Sequence, residues 1–165
     1  MSVAEEFEVA NAEYAASFSR GDLLLPLKRK VAIVACMDAR LDSARALGLE
    51  EGDAYVIRNA GGRAADALRS IIISQQLLGT REIVIVHHTD CRMLTFTDEM
   101  IRGKLRSDLG QNADYIAFLP FGDFQQSVLD DIKWLKESLL VLDVPITGFL
   151  YDVGTGKIVR VEDNV

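Results

Sequence analysis

Only two cysteines, two histidines, three prolines and one tryptophan occur among the 165 residues. Two cysteines cannot form the disulfide framework of a small secreted scaffold, and in a reducing compartment they point to metal binding or catalysis instead. No apolar run approaches the roughly 20 residues that a membrane span needs. Positive charge is also short: 18 Lys and Arg stand against 25 Asp and Glu, a net charge of −7 that repels a phosphate backbone. Neither G-x-x-x-x-G-K-[ST] nor G-x-G-x-x-G occurs, so a nucleotide-dependent switch would lack its phosphate cradle. The first 18 residues carry Glu5, Glu6, Glu8 and Glu13 without a basic start or apolar core, unlike a secretory or transit segment. A cytoplasmic location is therefore the expectation, with neither nucleic acid nor membrane as partner.

What is present is an ordinary globular composition, 49% hydrophobic and 26% charged. The length suits one domain over residues 1–165, able to bury roughly 70% of its unfolded surface without a structural metal. Any metal is then free for chemistry. All the cysteines and histidines fall in two short motifs, CMDAR at Cys36 to Arg40 and HHTDC at His87 to Cys91. Each follows an apolar run, Val31 to Ala35 and Ile83 to Val86, of the kind that forms a buried parallel strand.

Val3, Phe7, Ala10, Tyr14 and Phe18 recur at helical spacing with acids between them. This predicts an N-terminal helical arm over residues 1–22, its aromatic stripe resting on its own core or on a second subunit. After Pro26 come the strand Val31 to Ala35, a short helix through Leu47 stopped by Gly48, and the strand Ala54 to Ile57. A helix from about Ala64 to Leu78, the strand Ile83 to Val86, a helical patch from Met100 to Leu109 and a loop through Pro120 follow. A helix over Val128 to Leu142, with Leu129, Ile132, Leu135 and Leu139 on one face, precedes the strand Val144 to Val153. A glycine turn then leads to a short last strand, Lys157 to Val161. The alternation predicts an α/β fold: a central, mainly parallel sheet, helices on both faces and a short antiparallel edge strand. Ligands of such sheets sit beyond the carboxyl ends of the strands, where both motifs lie.

Zinc takes thiolate, imidazole and carboxylate in a tetrahedron, and a catalytic site leaves one position for water. Cys36, Cys91 and one histidine supply three donors. The H-x-x-C spacing lets His88 and Cys91 face one ion from a tight turn, whereas His87 would face the opposite side of an extended strand. The fourth position falls to water or to Asp38, with Arg40 placed to grip that carboxylate bidentately, keep it ionised and aim it. If Asp38 stayed on the ion, the site would be closed and structural. A redox disulfide between Cys36 and Cys91 is the other rival, without a C-x-x-C or a resolving cysteine to support it.

CMDAR, the Arg58-Asn59-Ala60-Gly61-Gly62 segment and His88-Thr89-Asp90-Cys91, in this order, resemble the β-class carbonic anhydrase family, from about Val31 to the C-terminal strands. The resemblance implies Cys36, His88 and Cys91 as ligands of one Zn²⁺ per chain, and Asp38 with Arg40 as the catalytic dyad. It also implies a homodimer or higher oligomer, with the N-terminal helix reaching over the partner and the cleft at the subunit interface. The implied activity is zinc-hydroxide-dependent hydration of carbon dioxide to bicarbonate. Carbonyl sulfide, which offers an equally electrophilic carbon, is the alternative substrate. Two positions depart from the family's G-H-T-x-C-G pattern, His87 and Arg92 standing where glycines are usual. His87 is thereby a candidate proton relay, its ordinary pKa being near neutrality, or else a residue that shapes the turn. Arg92 faces the cleft mouth or lies on the surface. Gly61 and Gly62, lacking Cβ, are candidates to bring backbone amides to a developing oxyanion. Phe118, Phe121 and Phe124 wall the pocket or pack as core and interface.

Overall fold

A computed structural model describes residues 2–23 and 28–162; the punctuation expected at Pro26 lies outside them. The sheet has five strands in the order β2-β1-β3-β4-β5. These are β1 (Val31–Cys36), β2 (Ala54–Asn59), β3 (Glu82–His88), β4 (Ile146–Tyr151) and β5 (Ile158–Val161). β1 runs parallel to β2 and β3, β3 runs parallel to β4, and β5 alone is antiparallel. Every residue of β1 is buried, as its unbroken Val-Ala-Ile-Val-Ala run requires of a central strand covered on both faces.

Alternate side chains divide the core. Val34, Ile83 and Ile85 pack with Ala64, Ala67, Ile71, Val128 and Leu135, which come from α3 (Ala64–Leu77) and α5 (Phe124–Glu137). Val31, Ile33, Ala35 and Val86 pack on the other face with Leu41 and Met93 and with the partly buried Leu47, Phe96 and Phe121. That second face is covered by α2 (Ser43–Ala46) and by segments leading into and out of α4 (Asp98–Leu109).

The predicted strands lie where the sequence placed them, with ends shifted by one or two residues. The last long helix does not. α5 begins at Phe124, because the Asp123 side chain accepts from the Gln126 amide at 2.8 Å and caps it there. It stops at Glu137, so Leu139 lies outside the helix and is fully exposed.

The amino-terminal helix, α1 (Val3–Ala16), opens with a capping box between Ser2 and Glu5. It buries no residue: Val3, Phe7 and Tyr14 remain exposed, as does Phe18 just beyond its end. The reading that its stripe rests on its own core is thereby corrected, since nothing described in the chain covers it. No described helix is long and apolar enough to cross a membrane.

Candidate metal centre

β1 and β3 are adjacent and parallel, so their carboxyl ends bring Cys36 and His88 together, and the turn after β3 returns Cys91 to the same point. The donor atoms of Cys36, His88 and Cys91 all lie within 4.8 Å of one another, and all three residues are buried. The turn closes through Asp90, whose φ of 55° lies in the left-handed region that asparagine and aspartate tolerate better than most residues.

The two thiols are free and face each other. The closeness of the Cys91 thiol to the Cys36 sulfur is the main reason the Cys36 pKa falls to about 4 and that of Cys91 is pushed up. His88 and the backbone amides of Asp38 and Gly61 also favour a Cys36 thiolate. Burial alone would lower the His88 pKa, but the Cys36 sulfur beside it, the Thr89 carbonyl and the Asp38 carboxylate together raise it.

This donor set fits zinc on two grounds. Two thiolates and an imidazole are ligands zinc prefers. Further, His88 Nδ1 lies 2.8 Å from the Thr89 carbonyl, an acceptor, so Nδ1 carries a hydrogen and Nε2 presents a lone pair. That Nε2 is buried without a hydrogen-bond partner, a cost that coordination would relieve.

Asp38 stands beside the triad, its Oδ2 3.8 Å from His88 Nε2. Both carboxylate oxygens are held by Arg40: Oδ1 accepts from Nε at 3.0 Å and Oδ2 from Nη2 at 2.8 Å. The Arg40 amide adds a bond to Oδ1 at 2.9 Å. These contacts hold the Asp38 carboxyl well below the usual carboxylate range. Two residues not singled out from the sequence complete the arrangement. Asp90 accepts from Arg40 Nη1 at 2.7 Å, and Arg58 donates to the carbonyls of Cys36 and Asp38 at 3.1 and 2.6 Å. Both lie inside the conspicuous motifs, at positions whose partners only the folded turn reveals.

A pocket of about 130 Å³ opens over two of the three donors, lined by Cys36, Met37, Asp38, Ala60, Gly61, Cys91, Arg92 and Met93. Arg92 is exposed at its rim. Gly61 lines the pocket beside Cys36. Gly62 does not line it. A Cβ there would come within 2.9 Å of the Cys36 nitrogen and 3.0 Å of the Val86 carbonyl, so Gly62 serves close packing of the turn on β1 and β3. His87, the candidate relay, points to the α5 side of the sheet, has no exposure, and has both ring nitrogens occupied by Ser127, Gly62 and Asp131. It offers no route to solvent. Phe121 stacks on His87 with ring centroids 5.4 Å apart, and Phe124 meets Phe121 edge-on, so these two aromatics pack as core.

Residues 31–115 match the family model described as carbonic anhydrase. Beta-carbonic anhydrase 1 of Mycobacterium tuberculosis is 41% identical over 167 residues, which cover 96% of this chain and 97% of that protein. Carbon disulfide hydrolase of Saccharolobus solfataricus is 32% identical, over 81% of this chain and 78% of that protein. Among solved structures, the carbonic anhydrase of Streptococcus mutans superposes with a TM-score of 0.92 at 48% identity, covering 98% of this chain and 99% of that one.

Proposed function

We propose that this chain, which belongs to the β-carbonic anhydrase family, hydrates carbon dioxide to bicarbonate and a proton at the pocket beside Cys36, His88 and Cys91. The observation that carries the reading is the pairing of those three converging donors with an ionised Asp38 held by Arg40 at their side. Cys36, His88 and Cys91 would hold one zinc ion, whose Lewis acidity makes a water molecule nucleophilic near neutral pH. Asp38, held ionised beside the triad, would accept a hydrogen from such a water and orient it. Arg40 keeps Asp38 ionised and fixes its plane, while Asp90 and Arg58 fix Arg40 and the turn beneath it. Ala60, Met37 and Met93 form an apolar wall that suits a small, uncharged, linear molecule.

The closed alternative needs Asp38 as a permanent fourth ligand. Three hydrogen bonds already commit its two oxygens to Arg40, which favours the open site. A second substrate reading has an observation of its own. The two methionine thioethers at the pocket suit a polarisable sulfur-bearing molecule, and similarity extends to carbon disulfide hydrolases. Carbonyl sulfide, and after it carbon disulfide, are the substrates so indicated.

Purified protein assayed for carbon dioxide hydration and for sulfide release from carbonyl sulfide and carbon disulfide decides among these. We expect about one zinc per chain and hydration as the fastest reaction. Sulfide release exceeding hydration would replace the first reading with the second, and absence of all three would refute both. The exposed stripe of α1 supports a homodimer in which the arm lies on the partner, and free thiols accord with a cytoplasmic setting.

A further inference from the structure

Behind the turn that carries Gly61 lies a buried polar cluster that the proposed reaction does not use. His87 Nε2 is 3.2 Å from the Gly62 carbonyl and 3.2 Å from Asp131 Oδ2. Both neighbours are acceptors, so Nε2 carries a hydrogen. Nδ1 lies 2.7 Å from Ser127 Oγ. Asp131 projects from α5 and is 2% exposed. Its Oδ2 also accepts from the Ala64 amide at 3.1 Å, and its Oδ1 faces Arg63 Nη2 at 3.0 Å. The Asn59 side chain brackets Arg63, accepting from its amide at 2.8 Å and donating to its carbonyl at 2.9 Å.

One carboxylate thus ties down Arg63 and Ala64 directly and, through His87, the Gly62 carbonyl. The segment so held takes two successive left-handed residues, Gly61 at φ 79° and Gly62 at φ 69°. Glycines adopt that conformation without strain but do not select it, since their backbone freedom is large. Selection has to come from outside the turn, and the cluster is where the polar contacts are. On its other side the turn lies against the Cys36 nitrogen, which a Cβ on Gly62 would meet at 2.9 Å, and presents Gly61 to the pocket.

We propose that His87 and Asp131 are positioning residues of the metal centre: from the α5 side of the sheet they fix the Gly61–Gly62 turn, and so hold the Cys36 backbone and the Gly61 wall of the pocket in place. The proposal rests on the reading of Cys36, His88 and Cys91 as ligands. Loss of the outer contacts that hold a metal ligand in place typically costs 10–100-fold in metal affinity. A cluster serving stability alone would change unfolding and leave the metal environment untouched.

The test has two arms. In long-range ¹H–¹⁵N spectra of histidine-labelled wild-type chain, with and without zinc, His87 is expected to carry hydrogen on Nε2; a bare Nε2 overturns the proposal. In the second arm the cobalt-substituted wild type is compared with His87→Phe, which fills the space, and with His87→Gln, whose amide can still donate to Gly62. His87→Phe is expected to shift the thiolate-to-cobalt charge-transfer bands and to release zinc to a chelator roughly tenfold faster, with His87→Gln restoring most of both. Unchanged bands and a release rate within about twofold in folded His87→Phe overturn the proposal. Should that variant fail to fold, Asp131→Asn, nearly the same shape, is read by the same two signals, with the same outcomes deciding. A wild-type chain that takes up no metal defeats the ligand reading itself. Uptake with unaltered variant bands defeats only the positioning role.

Discussion

His87 and His88 are neighbours on one strand and equally buried, yet they meet opposite conditions. His87 faces α5, where each ring nitrogen has a partner and Phe121 stacks on the ring. His88 faces the carboxyl end of β1, where Nδ1 is engaged and Nε2 has no partner. Strand alternation alone separates them, since consecutive side chains leave a strand on opposite faces. The difference teaches how to read a buried histidine: a ring whose nitrogens are all used belongs to the architecture, and a ring with one lone pair unspent is a candidate ligand.

The strongest way to break this comparison is to delete each ring. His88→Ala is expected to abolish zinc retention on dialysis and to lower turnover by roughly three orders of magnitude or more, as is Cys91→Ser. Metal-free His88→Ala should lose only about 1–2 kcal/mol in urea unfolding, because Nε2 has no partner to abandon and only the Nδ1 bond to the Thr89 carbonyl goes. His87→Ala should do the reverse in stability, losing about 3 kcal/mol or more of the metal-free fold through its cavity and the contacts stripped from Asp131 and Gly62. Equal stability losses, or zinc retained by His88→Ala, would collapse the distinction.

Asp38 sharpens the same contrast, because it stands next to the triad while its oxygens are taken by Arg40 rather than left open. Asp38→Ala should keep zinc in full and lose about a hundredfold in turnover, the scale of a missing acid–base group. Asp90→Ala frees only one side of Arg40 at an exposed position, so its loss should stay under about tenfold. Metal analysis beside stopped-flow rates checks both. Zinc lost from Asp38→Ala would make that carboxylate a ligand and reopen the closed site.

The sequence displayed the site's donors more openly than it displayed what supports them. Cys36, His88 and Cys91 were legible because rare residue types stood at the ends of two apolar runs, and parallel pairing of those runs does the rest. Asp131 was not legible: its partners Arg63, Ala64 and His87 lie far away in sequence, and on a helix surface an aspartate looks like any solvated acid. The exposed face of α1 was visible as a stripe, but not whether its own chain covered it, because periodicity reports an apolar face and not its neighbour.

Glycine 62 offers an intermediate effect. Gly62→Ala would place a methyl on backbone atoms of β1 and β3 at a positive φ, and about 2–4 kcal/mol of stability should go. Gly110→Ala shares a positive φ, 66°, but meets open space, so about 1 kcal/mol is expected. Equal costs in thermal unfolding would mean that strain, and not close packing, explains Gly62.

The smallest expected effect falls at Leu139, where apolar periodicity extended the last helix past its true end. The α5 ladder stops at Glu137, and the Leu140 amide is 3.3 Å from Ser138 Oγ in the turn that follows. A leucine with its whole side chain in solvent has no transfer energy to lose. Leu139→Ala should therefore shift stability by less than about 0.5 kcal/mol, while Leu135→Ala, on the same helical period but 1% exposed, should cost about 2–5 kcal/mol. A large loss at Leu139 would mean that something covers it in solution, and dilution of the sample would show whether a second copy does.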